Sequence, residues 1–207
     1  MTSGAKTVAE RLLVAGLLVV VAGRASAFEV DELMALLARR GEAHALFVEQ
    51  RYLPGLAQPV VSTGRLDFEP PDRYTRHTLT PHVETLAIAG NRLTLTRDGH
   101  ARNLMLDAAP EAALGIDAVR ATLTGDAATL EHGFKPTLVG SAADWQLTLV
   151  PLDPRAAGNL VEVRVVGRRD ALAGLEMRMA DGTRTVTTLT SAPSSTPSSE
   201  PASAPAP

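Results

Sequence analysis

The sequence predicts an α+β domain of nine or ten antiparallel strands, with one N-terminal helix and one helical insertion. Three observations carry that reading. Apolar and polar residues alternate with a period of two over most of residues 43–106 and 135–190, the mark of strands with one dry and one wet face. Helical spacing is confined to two stretches, one ahead of the first strand and one between the two strand-rich halves. The strands are joined by two-residue turn signals, and the strand–helix–strand repeat that a parallel sheet needs is absent.

Each element has a local cause. Val30, Leu33, Met34, Leu36 and Leu37 recur at helical spacing over residues 31–41, with Asp31 and Glu32 at the start and Arg39 and Arg40 at the end, charges that complement the helix dipole. From Ala43 the period becomes two: Leu46, Val48, Gln50 and Tyr52 alternate with Phe47, Glu49 and Arg51, until Pro54 stops the strand. Residues 64–69 alternate again, and Pro70-Pro71-Asp72 turns the chain into residues 73–80. A three-strand meander follows over residues 84–89, 92–97 and 100–106, joined by the hairpin pairs Gly90-Asn91 and Asp98-Gly99. Residues 108–131 return to helical spacing on Leu114, Val119, Leu123 and Leu130, with Gly115 and Gly125 as breaks. Strands resume at 135–140, 145–150, 160–166 and 175–179, one more helical turn is placed at 153–158, and Asp181-Gly182 leads into 184–190.

The two ends read differently. Residues 1–27 carry Lys6 and Arg11, an apolar run over 12–22 too short to span a bilayer, and Arg24-Ala25-Ser26-Ala27, a small-x-small cleavage pattern. This is a secretory signal peptide cleaved after Ala27, with an uncleaved anchor as the alternative; export places the mature chain in the periplasm. Residues 191–207, SAPSSTPSSEPASAPAP, hold nothing apolar larger than alanine and cannot offset the entropy of ordering, so they are expected to be a disordered tail. Residues 28–190 remain as one domain.

Composition removes several function classes. With no cysteine there is no disulfide scaffold, thiolate metal site, iron–sulfur cluster or cysteine nucleophile. A formal charge of −3 without a clustered basic face gives no footprint for nucleic acid. The G-x-S-x-G elbow, the P-loop and the dinucleotide glycine pattern are all missing. The histidines at 44, 77, 82, 100 and 132 have no metal-ligand spacing. Asp31, Glu32, Asp98 and Asp181 are accounted for by a helix start and by turns. Glu49 alone among the acids sits on a strand between apolar neighbours, and strand parity reads it as an outward residue beside Arg51. No catalytic residue, metal site or cofactor is therefore expected. If the sheet curves into an incomplete barrel with the helices as a loose plug, its interior is an apolar cavity sized for an acyl chain. Periodicity alone fits a fully packed core better.

One stretch of motifs resembles a known family. Phe47-Val48-Glu49-Gln50 on the first strand, Gly64-Arg65-Leu66-Asp67-Phe68 on the second, Pro71-Asp72-Arg73 at the turn, Pro81 beyond it and the Gly90-Asn91 hairpin resemble the periplasmic outer-membrane lipoprotein carrier family, the LolA-like proteins. The resemblance covers residues 28–190 and is strongest over 43–97. It implies an antiparallel unclosed β-barrel, or half-barrel sheet, lidded by short α-helices, whose apolar cavity receives acyl chains. It also implies an acylated protein or lipid cargo, an inner-membrane exporter and an outer-membrane acceptor as partners, and a monomer. In the family an Arg-Pro pair ends the second strand and its arginine holds the lid; here Pro70-Pro71 stands there, which leaves Arg73 as the candidate lid contact. Arg76 occupies a position where an aromatic is usual. The sequence is thus similar to a divergent branch, whose cargo is a lipoprotein or another acylated product.

Parity within each strand groups the candidate cavity wall as Leu46, Val48, Leu66, Phe68, Leu86, Ile88, Leu93, Leu95, Leu104 and Leu106, with Leu114, Val119 and Leu123 from the lid. Three functions remain open: a carrier that shields acyl chains, a periplasmic sensor or regulatory lipid-binding module, and an enzyme with dispersed residues. Intact-mass measurement of the exported protein should give a chain beginning at Phe28, and any other start would overturn the cleavage assignment. Deleting residues 191–207 should leave the fold intact, and a large drop in Tm in a thermal melt would show that the tail docks.

Overall fold

The computed structural model describes residues 28–192, apart from 109, 154, 156 and 157. The leader expected at 1–27, the tail expected at 191–207 apart from its first two residues, and part of the helical turn expected at 153–158 lie outside the described residues. The described residues begin with helix α1 (Val30–Leu37) and run through six strands, β1 (Ala43–Tyr52), β2 (Val60–Glu69), β3 (Arg73–Thr80), β4 (Glu84–Ala89), β5 (Arg92–Arg97) and β6 (His100–Met105). A 3₁₀ turn (Leu106–Ala108) and helices α2 (Pro110–Thr124) and α3 (Ala127–Gly133) follow. Five further strands complete the domain: β7 (Phe134–Ser141), β8 (Asp144–Pro151), β9 (Leu160–Arg168), β10 (Ala171–Met179) and β11 (Arg184–Ser191).

The eleven strands form one antiparallel sheet in the order β6-β5-β4-β3-β2-β1-β11-β10-β9-β8-β7. Each half is a simple meander, and the halves are joined where β1 pairs with β11, from Ala45 opposite Ser191 to Tyr52 opposite Arg184. The sheet edges β6 and β7 are consecutive in the chain, separated only by the helical segment. This is the unclosed, helix-lidded half-barrel. Closure would require β6 to pair with β7, which run parallel because all neighbours in the eleven-stranded sheet are antiparallel, and the helical segment carries the chain from one edge to the other.

Several boundaries differ from the sequence expectation. The strand count is eleven, not nine or ten. β2 starts at Val60, not at residue 64, because its first residues pair with the second half of β1, Val60 opposite Arg51. The turns between β7 and β8 and between β9 and β10 carry no Asn-Gly or Asp-Gly pair, and Arg169 itself takes the left-handed conformation, so β10 starts at Ala171, not at residue 175. Gly115 does not break the insertion, since α2 runs through it. Gly125 does end the helix, at φ +68, where an added Cβ would collide with the carbonyl oxygen of Met34 in α1. Asp126 then caps α3 by accepting from Thr129 N–H at 3.0 Å, and that bond with the Thr129 hydroxyl holds its carboxyl below the usual range. The final strand extends through Ser191, the first residue assigned to the tail, and Ala192 N–H donates to the His44 carbonyl at 3.1 Å.

Apolar packing falls into two clusters at opposite sides of the concave face. The larger joins Leu33, Met34 and Leu37 of α1, Ala118 and Ala121 of α2 and Leu130 of α3 to Trp145, Leu147, Leu149, Val163 and Val165 on β8 and β9. The smaller joins Ile88 of β4, Leu93 of β5 and Leu106 to Ala113 and Ile116 of α2. Each buried Leu, Ile or Phe contributes about 1.5–3 kcal/mol, so the larger cluster holds its end of the lid more firmly than the smaller one does.

Between them Gly64, at a bulge in the β2–β3 register, accommodates the Phe47 ring. A Cβ at Gly64 would lie 2.7 Å from Phe47 Cε1 and collide with the His77 carbonyl oxygen. Gly64→Ala should therefore cost about 1–3 kcal/mol through overpacking, seen in urea as a lowered unfolding midpoint with the slope unchanged.

Candidate functional site

The two packed clusters leave the middle of the concave face unfilled. A cavity of about 580 Å³ lies there, under α2 and over β1, β2, β10 and β11. That volume falls within the roughly 300–1,000 Å³ of small-molecule sites, and is several times the ~150 Å³ void that stays dry in an apolar core. Leu66 and Phe68 of β2, Leu86 and Ile88 of β4 and Leu93 of β5 form one wall. Leu172, Leu175, Met177 and Met179 of β10 form the other, and Ile116, Val119 and Leu123 of α2 form the roof. The methionines suit this position, because an unbranched thioether adapts its shape to what it touches.

The floor on β1 is not apolar. Glu49 points inward and is only 5% exposed, which reverses the parity expected for β1: Ala43, Ala45, Phe47, Glu49 and Arg51 face the cavity. Arg76 Nη1 donates to Glu49 Oε2 at 2.7 Å and Thr187 Oγ1 donates to the same oxygen at 3.3 Å. Arg51 Nη2 lies 3.5 Å from Glu49 Oε1. The Arg76 guanidinium also stacks over the Phe47 ring, 4.3 Å from its centroid, which gives it a cation–π contact in addition to the ion pair. Burial pushes the Tyr74 phenol up to about 12, with Arg76 opposing and Glu49 adding to the shift.

Of the residues expected to line a cavity, Leu66, Phe68, Leu86, Ile88, Leu93, Val119 and Leu123 do so. Leu46 and Val48 sit on the opposite, outer face and are about half exposed. Three consecutive apolar residues, Leu46-Phe47-Val48, make either parity plausible on hydrophobicity, and the bulky ring decides it because it alone fits over Gly64. Leu95 and Leu106 belong to the smaller packed cluster and Leu114 packs against the larger one, so none of the three lines the cavity. Leu104 lies exposed on edge strand β6 and does not line the cavity. Arg73 is a surface residue whose Nη1 is 3.7 Å from Glu69. The lid contact is made by Arg120 of α2, whose Nη2 donates to the Gly90 carbonyl at 2.9 Å. Trp145 is buried in the dry cluster, donating from Nε1 to the Arg169 carbonyl at 2.8 Å, and does not border the cavity.

The β10 wall and the charged floor are what sequence reasoning missed. The spacing of Leu175, Met177 and Met179 was a visible signal for the first. Nothing local marks Arg76 as the partner of Glu49, because the two strands are not neighbours. Among the described residues no group of three or more His, Asp or Glu could hold a metal ion, and no helix is long and apolar enough to cross a membrane.

Removing one partner of a buried ion pair leaves the other uncompensated, typically at about 3–5 kcal/mol. Glu49 retains Thr187 and Arg51 when Arg76 is lost, so Arg76→Met should cost about 3 kcal/mol in urea unfolding. Adding Glu49→Leu to Arg76→Met should recover part of that loss; additivity of the two within about 0.5 kcal/mol would show that the groups are not coupled.

Comparison with known proteins places the chain. The family model described as "Outer membrane lipoprotein carrier protein LolA-like" matches residues 22–206. No curated protein matches the sequence. Among solved structures, a LolA superfamily protein from Nitrosomonas europaea is 9% identical with TM-score 0.45, over 79% of this chain and 92% of that one. The MucA/MucB complex of Pseudomonas aeruginosa gives 17% identity and TM-score 0.42, over 80% of this chain and 59% of that one. The lipoprotein LppX of Mycobacterium tuberculosis gives 11% identity and TM-score 0.39, over 76% and 93%. The family match spans most of the sequence, and the chain belongs to the LolA-like family of outer membrane lipoprotein carrier proteins.

Proposed function

We propose that the protein is a non-enzymatic periplasmic carrier that shields the acyl chain of a lipoprotein or another acylated product on its way towards the outer membrane. The observation that carries this reading is the 580 Å³ cavity, roofed by α2 and lined over most of its wall by Leu, Ile, Val, Met and Phe. The family supports the same reading. So does the leader read at residues 1–27, which would deliver the chain across the inner membrane. An exporter that loads the cavity and an acceptor that empties it are the partners such a carrier requires.

Magnitude favours an acyl ligand. Burial yields about 0.8 kcal/mol per methylene, so a chain of about a dozen would contribute on the order of 10 kcal/mol before the costs of ordering and association. A ligand that binds only the folded state must raise its stability.

Long-chain acyl compounds, supplied as monomers, should therefore raise Tm in a thermal melt. Phe68→Glu should remove that shift while the domain still folds, because Phe68 fronts the cavity as well as the sheet and a wetted carboxylate is tolerated there. If Phe68→Glu unfolds the domain and no acyl compound stabilises the unsubstituted protein, the site is a packed core and the carrier reading fails.

A further inference from the structure

The charge of the cavity is opposite to that of the molecule around it. The chain carries a formal net charge of −3, yet four arginines, Arg40, Arg51, Arg76 and Arg120, line the cavity against only two acids, Glu49 and Asp72. Arg51 and Arg76 share the single carboxylate of Glu49. Arg120 is engaged by the Gly90 carbonyl. Arg40, which follows α1 at the turn into β1, has a buried Nη1 with no hydrogen-bond acceptor among the described residues. Asp170 is the acid that acts on it electrostatically, and burial outweighs that help and lowers its pKa.

An unmet donor of a charged group is costly to bury. It persists where something else supplies the acceptor. A carboxylate or phosphate is the acceptor that a guanidinium fits best, through paired, charge-assisted hydrogen bonds. Leu172 and the rest of the β10 wall line the same cavity as Arg40, so a single ligand can touch both.

We propose that the ligand of this cavity is an anionic amphiphile, an acyl chain carrying a carboxylate or phosphate head, with the chain on the apolar wall and the head on Arg40. The proposal rests on the acyl-carrier reading and adds the head-group class to it. Arg51 and Arg76 contribute positive potential at the floor without being the anchor, because their charge is already paired with Glu49. A phosphate without a chain would gain the head contact alone and lose the burial that dominates binding.

The test compares three ligands with the same twelve-carbon chain, each kept below its micelle-forming concentration: dodecyl phosphate, dodecanoate and the uncharged tetraethylene glycol monododecyl ether. Titration calorimetry on the full mature chain should find the two anions bound about tenfold more tightly than the ether, the gain expected of one charge-assisted contact. Arg40→Gln should bring the anions to the level of the ether while leaving the ether's affinity unchanged. Arg40→Lys, which keeps the charge, should retain most of the preference, and added salt should weaken anion binding by the unsubstituted protein but not ether binding. Inorganic phosphate alone should give no measurable heat. Equal affinity for anion and ether, or an anion preference that survives Arg40→Gln, would overturn the head-group proposal and leave the carrier reading intact. Inorganic phosphate binding as tightly as dodecyl phosphate would also overturn it. If none of the three dodecyl compounds binds, both readings fall.

Discussion

The structure depends on one connection. Strands β6 and β7 are the two free edges of the sheet and are also consecutive in the chain; because all neighbours in the eleven-stranded sheet are antiparallel, these two edges run parallel, and only a long connection can carry the chain from one to the other. The helices at residues 106–133 stand in that place. They cannot lie outside the sheet without exposing Ala118, Ala121 and Leu130, so they fold back across the concave face and hold it open. Edge, lid and cavity are three results of that single insertion. β6 is then an edge strand with His100, Arg102 and Asn103 along it, the kind of polar rim that discourages pairing with another chain.

The lid is fastened asymmetrically. On the β8–β9 side α2 belongs to a dense core with α1 and α3, whereas on the β4–β5 side it meets only a small cluster and one hydrogen bond from Arg120. Fewer buried contacts mean a lower free energy of local opening, so this is the side at which the roof can lift.

Much of this architecture was legible in the sequence. The hairpins at Gly90-Asn91, Asp98-Gly99 and Asp181-Gly182 and the place of the helical insertion all follow from local chemistry, because turn residues and apolar period act over a few positions. The parity of β1 was not legible, since Leu46, Phe47 and Val48 are all apolar and the decision lies with Gly64 on the neighbouring strand. Glu49 was misplaced for the same reason: once β1 is turned over, the acid goes inside. Its partner Arg76 is reached across β2, a distance no sequence pattern encodes. Limits shifted at β10, whose turn at Arg169 lacks Gly, and at β2, which follows a loop and not a two-residue turn.

The pairing of the first strand with the last bears on how the domain comes into being. β1 and β11 lie at the middle of the sheet, yet they are the two ends of the strand sequence, and every bond between them closes a loop of almost the whole domain. Loop closure of that length is slow, and contacts of high sequence separation are the ones that limit folding rates. Each meander can assemble locally, but the seam between them waits until the final strand is present. Folding of the seam is thereby deferred until the last strand has been made, while each meander can form before it.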